Sequence, residues 1–588
     1  MPRLIPVVGA LAVFAVVVAL SLSNRTAHAL TIAVDSLADT VADDDECTLR
    51  EAIENANDTT DGQPHDDCSP GDPAGEDRIE FDVAGDIVLD GTALPAVTDD
   101  LVLDGSGAGI TIDGDGASGI LVLTNDATLA VSALALRGGN AGVDSGAAIQ
   151  VDSGDLLVTN SSFVDNEAEF GGAIYLTDGT LEVTGSSFTG NTAIGGGAIY
   201  VVAATALITS STFTGNISSG FGGAILTGAP LTVTGGAFQS NTAADGGGAI
   251  AAEAAIGVTA TFFDRNTGAR GGGILAGGDL DVAGATFIGN SASVGGGGAI
   301  ASLARLFVDD STFRDNDAVN GGAIDQASGN AAIMSSEFDG NSALAAGGAL
   351  RAQPGAANEV RIVETTFSDN HALAGGALSI PVGAVSIVNS TFHLNSVTSQ
   401  GGAIHNAGSL ELANSTVSTN AADTGGGGLY NSGGAVVLNV TFARNAALGD
   451  AAGGIVNALS GTLGITNSLI TLGTLGVNCD FAGAVGGVGA SNLADDDSCD
   501  NGAFVEIGDM LLEDLGDNGG PTMTHLPKPA SPAIDAGDDA TCPEGDQRGE
   551  DRPALEGCDV GSVEVQEIPF VPSGDQFVPG LASRVDHP

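Results

Sequence analysis

Apolar and polar residues alternate with period two in short runs along most of this chain, and each run closes on Gly, Asp, Asn or Ser. From Gly171 the text GGAIYLTDGTLEVTGSSFTGN holds three such runs, AIYL, TLEVT and SSF. Alternation with turn residues between runs predicts strands, and no 3.6-residue pattern fits these segments, which sets aside a helical repeat. The unit then recurs, with Phe163, Phe188, Phe213, Phe238 and Phe263 at steps of 25 residues. The series continues through Phe287, Phe313, Phe338, Phe367, Phe392 and Phe442, with Val417 in the Phe place, and slips where an insertion such as 351–360 lengthens a coil. Such a period predicts an all-β solenoid, a parallel β-helix with three short strands per coil of about 25 residues.

Coils stacked about 4.8 Å apart turn each repeated position into a column. Phe163, Phe188, Phe213 and Phe238 begin one internal ladder, and Ile174, Ile199, Ile225, Ile250, Ile274 and Ile300 form another. Asn166, Asn191, Asn216 and Asn241, followed by Asn266 and Asn290, suit a corner where amides bond the backbone and one another, a structural role. Paired glycines such as Gly222-Gly223 and Gly401-Gly402 suit corners with positive φ. They recur in nearly every coil with no crossover helix after them, so they are not a nucleotide loop. The repeats and the less regular alternation before them place the solenoid at 76–472, about sixteen coils.

The termini read differently. Residues 1–29 carry an arginine, an apolar run and Ala27-His28-Ala29, the pattern of a cleaved export signal; the run also has the length of a membrane anchor. Residues 30–75 form an N-terminal cap, in which Leu49, Ala52, Ile53 and Ala56 fall at helical spacing behind a Thr48–Glu51 capping box. Residues 473–565 form a C-terminal cap and 566–588 a polar tail. Six cysteines lie outside the repeats and allow fifteen pairings. Proximity in an exported chain favours Cys47 with Cys68, Cys479 with Cys499, and Cys542 with Cys558; metal ligation is the alternative, without a CxxC or clustered His beside it.

The run Cys47-Thr48-Leu49-Arg50-Glu51-Ala52 resembles the CSLREA motif of exported bacterial β-helix proteins, with Thr48 where that motif has Ser. The GGAI and FxxN repeats resemble those of the polymorphic outer-membrane proteins, and LGDNGGPTMTHLPKPASPAIDAG with DQRGEDRPALEGCDVGSVE resembles a choice-of-anchor region. These resemblances imply a right-handed parallel β-helix at the cell surface or in the medium, and supply no catalytic residues to transfer. The tail departs from the anchored members, having neither a sorting motif, an apolar tail nor the strands of a translocating barrel.

Seventy-four acidic residues against sixteen Lys and Arg give a formal charge of −58, which argues against nucleic acid and anionic lipid as partners. Carboxylates are calcium ligands, yet Asp43-Asp44-Asp45-Glu46, Asp495-Asp496-Asp497 with Asp500, and Asp538-Asp539 lack the spacing of known calcium loops and read as solvated runs; no cofactor is expected, with calcium the one candidate.

Catalysis lacks a constellation. Asp165, Asp315 and Asp369 precede the ladder Asn but never on adjacent coils, as a glycosidase pair would need. His371, His393 and His405 occupy different places in their coils and read as exposed; no GxSxG elbow occurs. The only tyrosines are Tyr175, Tyr200 and Tyr430, and the remaining aromatics read as the internal Phe ladder. The chain thus reads as an exported, non-catalytic, adhesin-like or structural scaffold. It is extracellular or at the surface, outer-membrane association included, a monomer without membrane insertion after signal removal, with an extracellular protein or carbohydrate as ligand. The alternative is a polysaccharide lyase or glycoside hydrolase, calcium-assisted, with its groove beside the 351–360 insertion.

Overall fold

The computed structural model describes residues 30–57, 67–72, 75–448, 451–472, 475–486, 491–500 and 502–567. The leader at 1–29 and the tail beyond 567 lie outside them. The described chain is an all-β parallel β-solenoid of about 16 turns with three sheets and one α-helix near its N-terminus. It divides into two compact units, one of residues 30–362, 367–385 and 395–399, the other of 363–366, 386–394 and 400–567.

In the first unit each turn contributes one strand to each sheet, as in Thr180–Thr184, Ser187–Thr189 and Ile199–Val201. The equal step in sequence keeps identical positions paired, so Phe163, Phe188, Phe213 and Phe238 stand directly over one another in parallel register. Their rings stack 4.6 to 4.7 Å apart with planes within 4°. Isolated aromatic pairs prefer an offset or an edge contact; here the strand spacing imposes the face-to-face column, and complete burial makes it an apolar spine.

The Asn column is equally dry, with Asn166, Asn191, Asn216 and Asn241 fully buried. Asn191 Nδ2 donates to Asn216 Oδ1 at 2.9 Å and to the Phe163 carbonyl at 3.1 Å, while its Oδ1 accepts from the Asn166 backbone and amide. The same set repeats at Asn216 and Asn241, satisfying corner groups that water cannot reach. The paired glycines divide two tasks. Gly171 sits at φ +57°, whereas a Cβ on Gly172 would lie 2.2 Å from the carbonyl oxygen of Gly197 on the next turn.

Helix α1 (Leu49–Ala56) closes the N-terminal end of this unit, burying Leu49, Ala52, Ile53 and Ala56 against strands Leu30–Val34 and Asp77–Phe81. Its capping box is formed: Glu51 N–H donates to Thr48 Oγ1, and Thr48 N–H donates to the Glu51 carboxylate at 3.0 Å. The Cys47–Cys68 disulfide ties the chain just before the helix to Cys68. Arg50 adds a fork onto Asp39 and a bond to the Ala93 carbonyl.

Asp77 is buried beneath this cap, and burial pushes its carboxyl up to about 6, with Asp72 and Asp99 adding repulsion. The folded chain therefore binds this proton more tightly than the unfolded chain, whose ordinary value is 3.8; the stability it contributes is present at low pH and is lost as pH rises through about 6. Asp77→Asn is expected to raise the unfolding temperature at pH 7 and to leave it nearly unchanged at about pH 3, below the ordinary value of 3.8. Thermal unfolding at the two pH values checks this, and an equal effect at both would contradict it.

In the second unit the same three sheets recur, with Val417 in register between Phe392 and Phe442. A second amide ladder, Asn406–Asn431–Asn457, runs along the third sheet at 2.7 and 2.8 Å. The Cys479–Cys499 disulfide joins strand Val477–Phe481 to the 3-10 turn Asp497–Cys499.

Residues 508–567 do more than cover a terminal turn, because they return along the outer side of the second sheet over turns at 389–467. Asn414 and Asn439, both in the left-handed backbone region, donate to the carbonyls of Gly545 and Asp559. Gln547 receives a bond from Thr416 and donates to Thr391 and Thr522. Met510, Ala533 and Val560 pack on Leu469 and Leu493, and the Cys542–Cys558 disulfide closes the segment.

Candidate interaction surface

The groups that could support chemistry are bonded into the architecture. Asp165, Asp315 and Asp369 occupy the left-handed corner position before the ladder Asn, with φ of 53 to 54°, so they are turn residues. The acidic runs take part in local turns: the backbone of Asp44 and Asp45 donates to Asp67, Asp496 caps its 3-10 turn, and Asp539 accepts from the Cys558 backbone. No group of three or more His, Cys, Asp or Glu among the described residues is arranged to hold a metal ion. Arg351, beside the insertion, is forked onto Asp325 at 2.6 and 2.7 Å. A shallow hollow of ≈ 370 Å³ along residues such as Ile110, Asn160 and Ser187 is lined by no titratable side chain.

The histidines fall into separate settings. His371 is exposed, its Nδ1 3.2 Å from Ser396 Oγ. His393 is half-buried. His405 corrects the expectation of exposure: it is half-buried and stacks on Tyr430 at 5.2 Å, and burial pushes its imidazole below the ordinary value.

His525, which the repeat pattern did not single out, makes the contact closest to a nucleophile and base. Its Nδ1–H donates to the Glu513 carbonyl at 2.8 Å, leaving Nε2 to accept from Ser418 Oγ at 2.9 Å. Ser418 has 0% and His525 2% of its surface exposed, so the hydroxyl is closed off from solvent, and the pair fastens the returning segment. A buried ionic cluster holds the returning segment together from within. Arg552 lies among Glu564, Asp546 and Asp559, and burial pushes the Asp559 carboxyl up to about 6.

What remains available to a partner is a surface of the first unit that the FxxN pattern does not reveal. Phe170 and Phe221 precede their glycine pairs instead of occupying the ladder position, and both lie on the outside, which corrects the reading that every Phe belongs to the internal ladder. Beside them in the third sheet Tyr175, Tyr200, Leu226 and Leu275 are half-buried at one register position, with the buried Ala251 between the two leucines. Tyr200 contacts Tyr175 edge-on, with ring centres 5.6 Å apart and planes at 69°, and meets Phe170 at 5.6 Å and 50°.

The glycines leave room that these side chains fill. A Cβ at Gly195 would stand 2.9 Å from Leu226 Cδ2 and 3.2 Å from the Phe170 ring, and one at Gly246 would stand 2.9 Å from Leu275 Cδ2. Phe and Gly thus alternate along the corner so that large side chains lean into a continuous apolar layer. Phe221 and Ile194 remain 44% and 50% exposed at its border. Contiguous aromatic and aliphatic surface of this kind is a candidate interaction site, whereas singly scattered apolar residues are not.

Residues 185–202 and 210–228, which include Tyr200, Phe221 and Leu226, match the Chlamydia polymorphic membrane protein (Chlamydia_PMP) repeat. The chain is therefore a repeat protein similar to the polymorphic membrane proteins across those turns. No curated protein and no solved structure matches it.

Proposed function

We propose that this chain is an exported, non-catalytic β-helix scaffold that works at the cell surface or in the medium as an adhesin-like protein. The observation that carries the reading is the aromatic and aliphatic layer on the first unit, which presents contact area on a rigid ladder, with no metal-holding group of side chains among the described residues. A sheet is suited to this task because its strand spacing fixes side chains before the partner arrives, which lowers the entropy lost on binding. Similarity to polymorphic membrane protein repeats supports a surface or outer-membrane location. The CSLREA-like run at Cys47 and the choice-of-anchor-like stretch agree with export.

Beads carrying the purified chain, presented to cells or to isolated envelopes, test the proposal. Attachment above that of beads carrying an equally acidic unrelated protein is the expected result. Equal attachment, together with unchanged adhesion and envelope integrity in cells that lack the protein, would overturn it.

A further inference from the structure

We propose that the layer built from Phe170, Tyr175, Tyr200, Phe221, Leu226 and Leu275 docks a cationic amphipathic segment of another protein, one that alternates apolar with Lys or Arg side chains. The inference rests on the scaffold reading above and names its partner.

Two observations select this occupant. The first is charge. Glu167, Asp245 and Glu253 are exposed and Glu169 half-exposed along the same turns, whereas the one basic side chain at that border is Arg270. None of the four carboxylates forms an ion pair among the described residues, and Glu253 is near enough to act on the Tyr200 phenol. An apolar floor with an anionic border complements apolar residues flanked by cations, and repels both an anionic polymer and a second copy of a chain of charge −58.

The second observation is ring geometry. A sugar-binding platform offers ring faces to the pyranose, yet Tyr175 and Tyr200 stand edge to face and Phe170 is tilted by 50°. The rings pack on one another and, with Leu226 and Leu275, leave an uneven floor of edges and methyl groups. Such a floor suits interdigitating side chains, the packing found at the centre of protein interfaces.

Binding of a synthetic 20-residue peptide of alternating lysine and leucine to the full chain at about 0.15 M salt, where long-range attraction is screened, tests the proposal. Phe170→Ala/Tyr200→Ala/Phe221→Ala is expected to weaken binding at least about tenfold, the effect of truncating aromatic anchors. Glu169→Gln/Asp245→Asn/Glu253→Gln, which keeps the shape, is expected to weaken it about three- to tenfold and to reduce its salt dependence. Should the aromatic triple variant unfold, Phe221→Ala alone, at a site 44% exposed, must still lose about threefold.

Unchanged binding by the aromatic variants, or competition by chitohexaose or cellohexaose at this surface, would overturn the proposal. Bead attachment that depends on these side chains but is not competed by the peptide would overturn the partner class and leave the scaffold reading standing. Loss of all attachment by the native chain would overturn both.

Discussion

Phe213→Ala is expected to destabilise the turns around it by about 3–5 kcal/mol, the range for deleting a fully buried Phe. Phe213 has no exposed surface and stacks on Phe188 and Phe238, each 4.7 Å away. Its neighbours cannot close the gap, because the sheet hydrogen bonds on either side hold the turns at fixed spacing, so most of the cavity persists. A solenoid couples each turn only to the next. The loss should accordingly appear as faster amide exchange in residues 188–238, with far smaller changes around Phe313. Native-state hydrogen exchange reads this directly; a loss below about 1 kcal/mol, or one spread evenly over the chain, would contradict the column as a local spine.

Asn216→Leu is expected to cost about as much, 3–5 kcal/mol, for the opposite reason. Leucine nearly preserves the volume and adds apolar area, so a purely hydrophobic core would tolerate it. The Asn216 amide, however, accepts from the backbone N–H and side chain of Asn191, and donates to the Phe188 carbonyl and to Asn241 Oδ1. Removing it leaves polar groups of two adjacent turns buried without partners, at about 1–3 kcal/mol for each that finds no water. Desolvation therefore outweighs the area gained. Urea unfolding followed by near-ultraviolet signals and exchange at Asn191 and Asn241 checks the outcome, and a neutral or stabilising Leu would show that the ladder is not tight.

The spiral was legible because its physics is periodic. A step of 25 residues places Phe over Phe and Asn over Asn whatever the rest of the turn does, and alternation within each run shows which side chains enter. The returning segment was not legible in the same way. Gln547 meets Thr391 and Thr416, and His525 meets Ser418, over separations of more than 100 residues, and one member of each pair lies outside any repeat. The Asn that form this contact stand in corner positions occupied in other turns by residues as varied as Gly185, Ser210, Ala260, Asp310 and Glu364, so their role becomes visible only once the covering segment is in place.

The apolar layer was hidden for a related reason. Phe170 and Phe221 differ from their repeat equivalents Gly195 and Gly246, so a consensus of the repeat averages them away. Departures from the period, not the period, carry the surface chemistry. Tyr175 and Tyr200 were visible singly, but the edge contact between them and the tilt of Phe170 depend on strand register and on the room left by Gly195. Asp165, Asp315 and Asp369 show the converse, since an acid that looks chemical in sequence proves to be a left-handed corner.

The claim that this is a recognition scaffold and not an enzyme is tested most directly by incubating the purified chain with a panel of neutral, anionic and amino polysaccharides, with calcium and with chelator, and following chain length. The account predicts no depolymerisation under either condition. Turnover of any member, and calcium-dependent turnover above all, would contradict it.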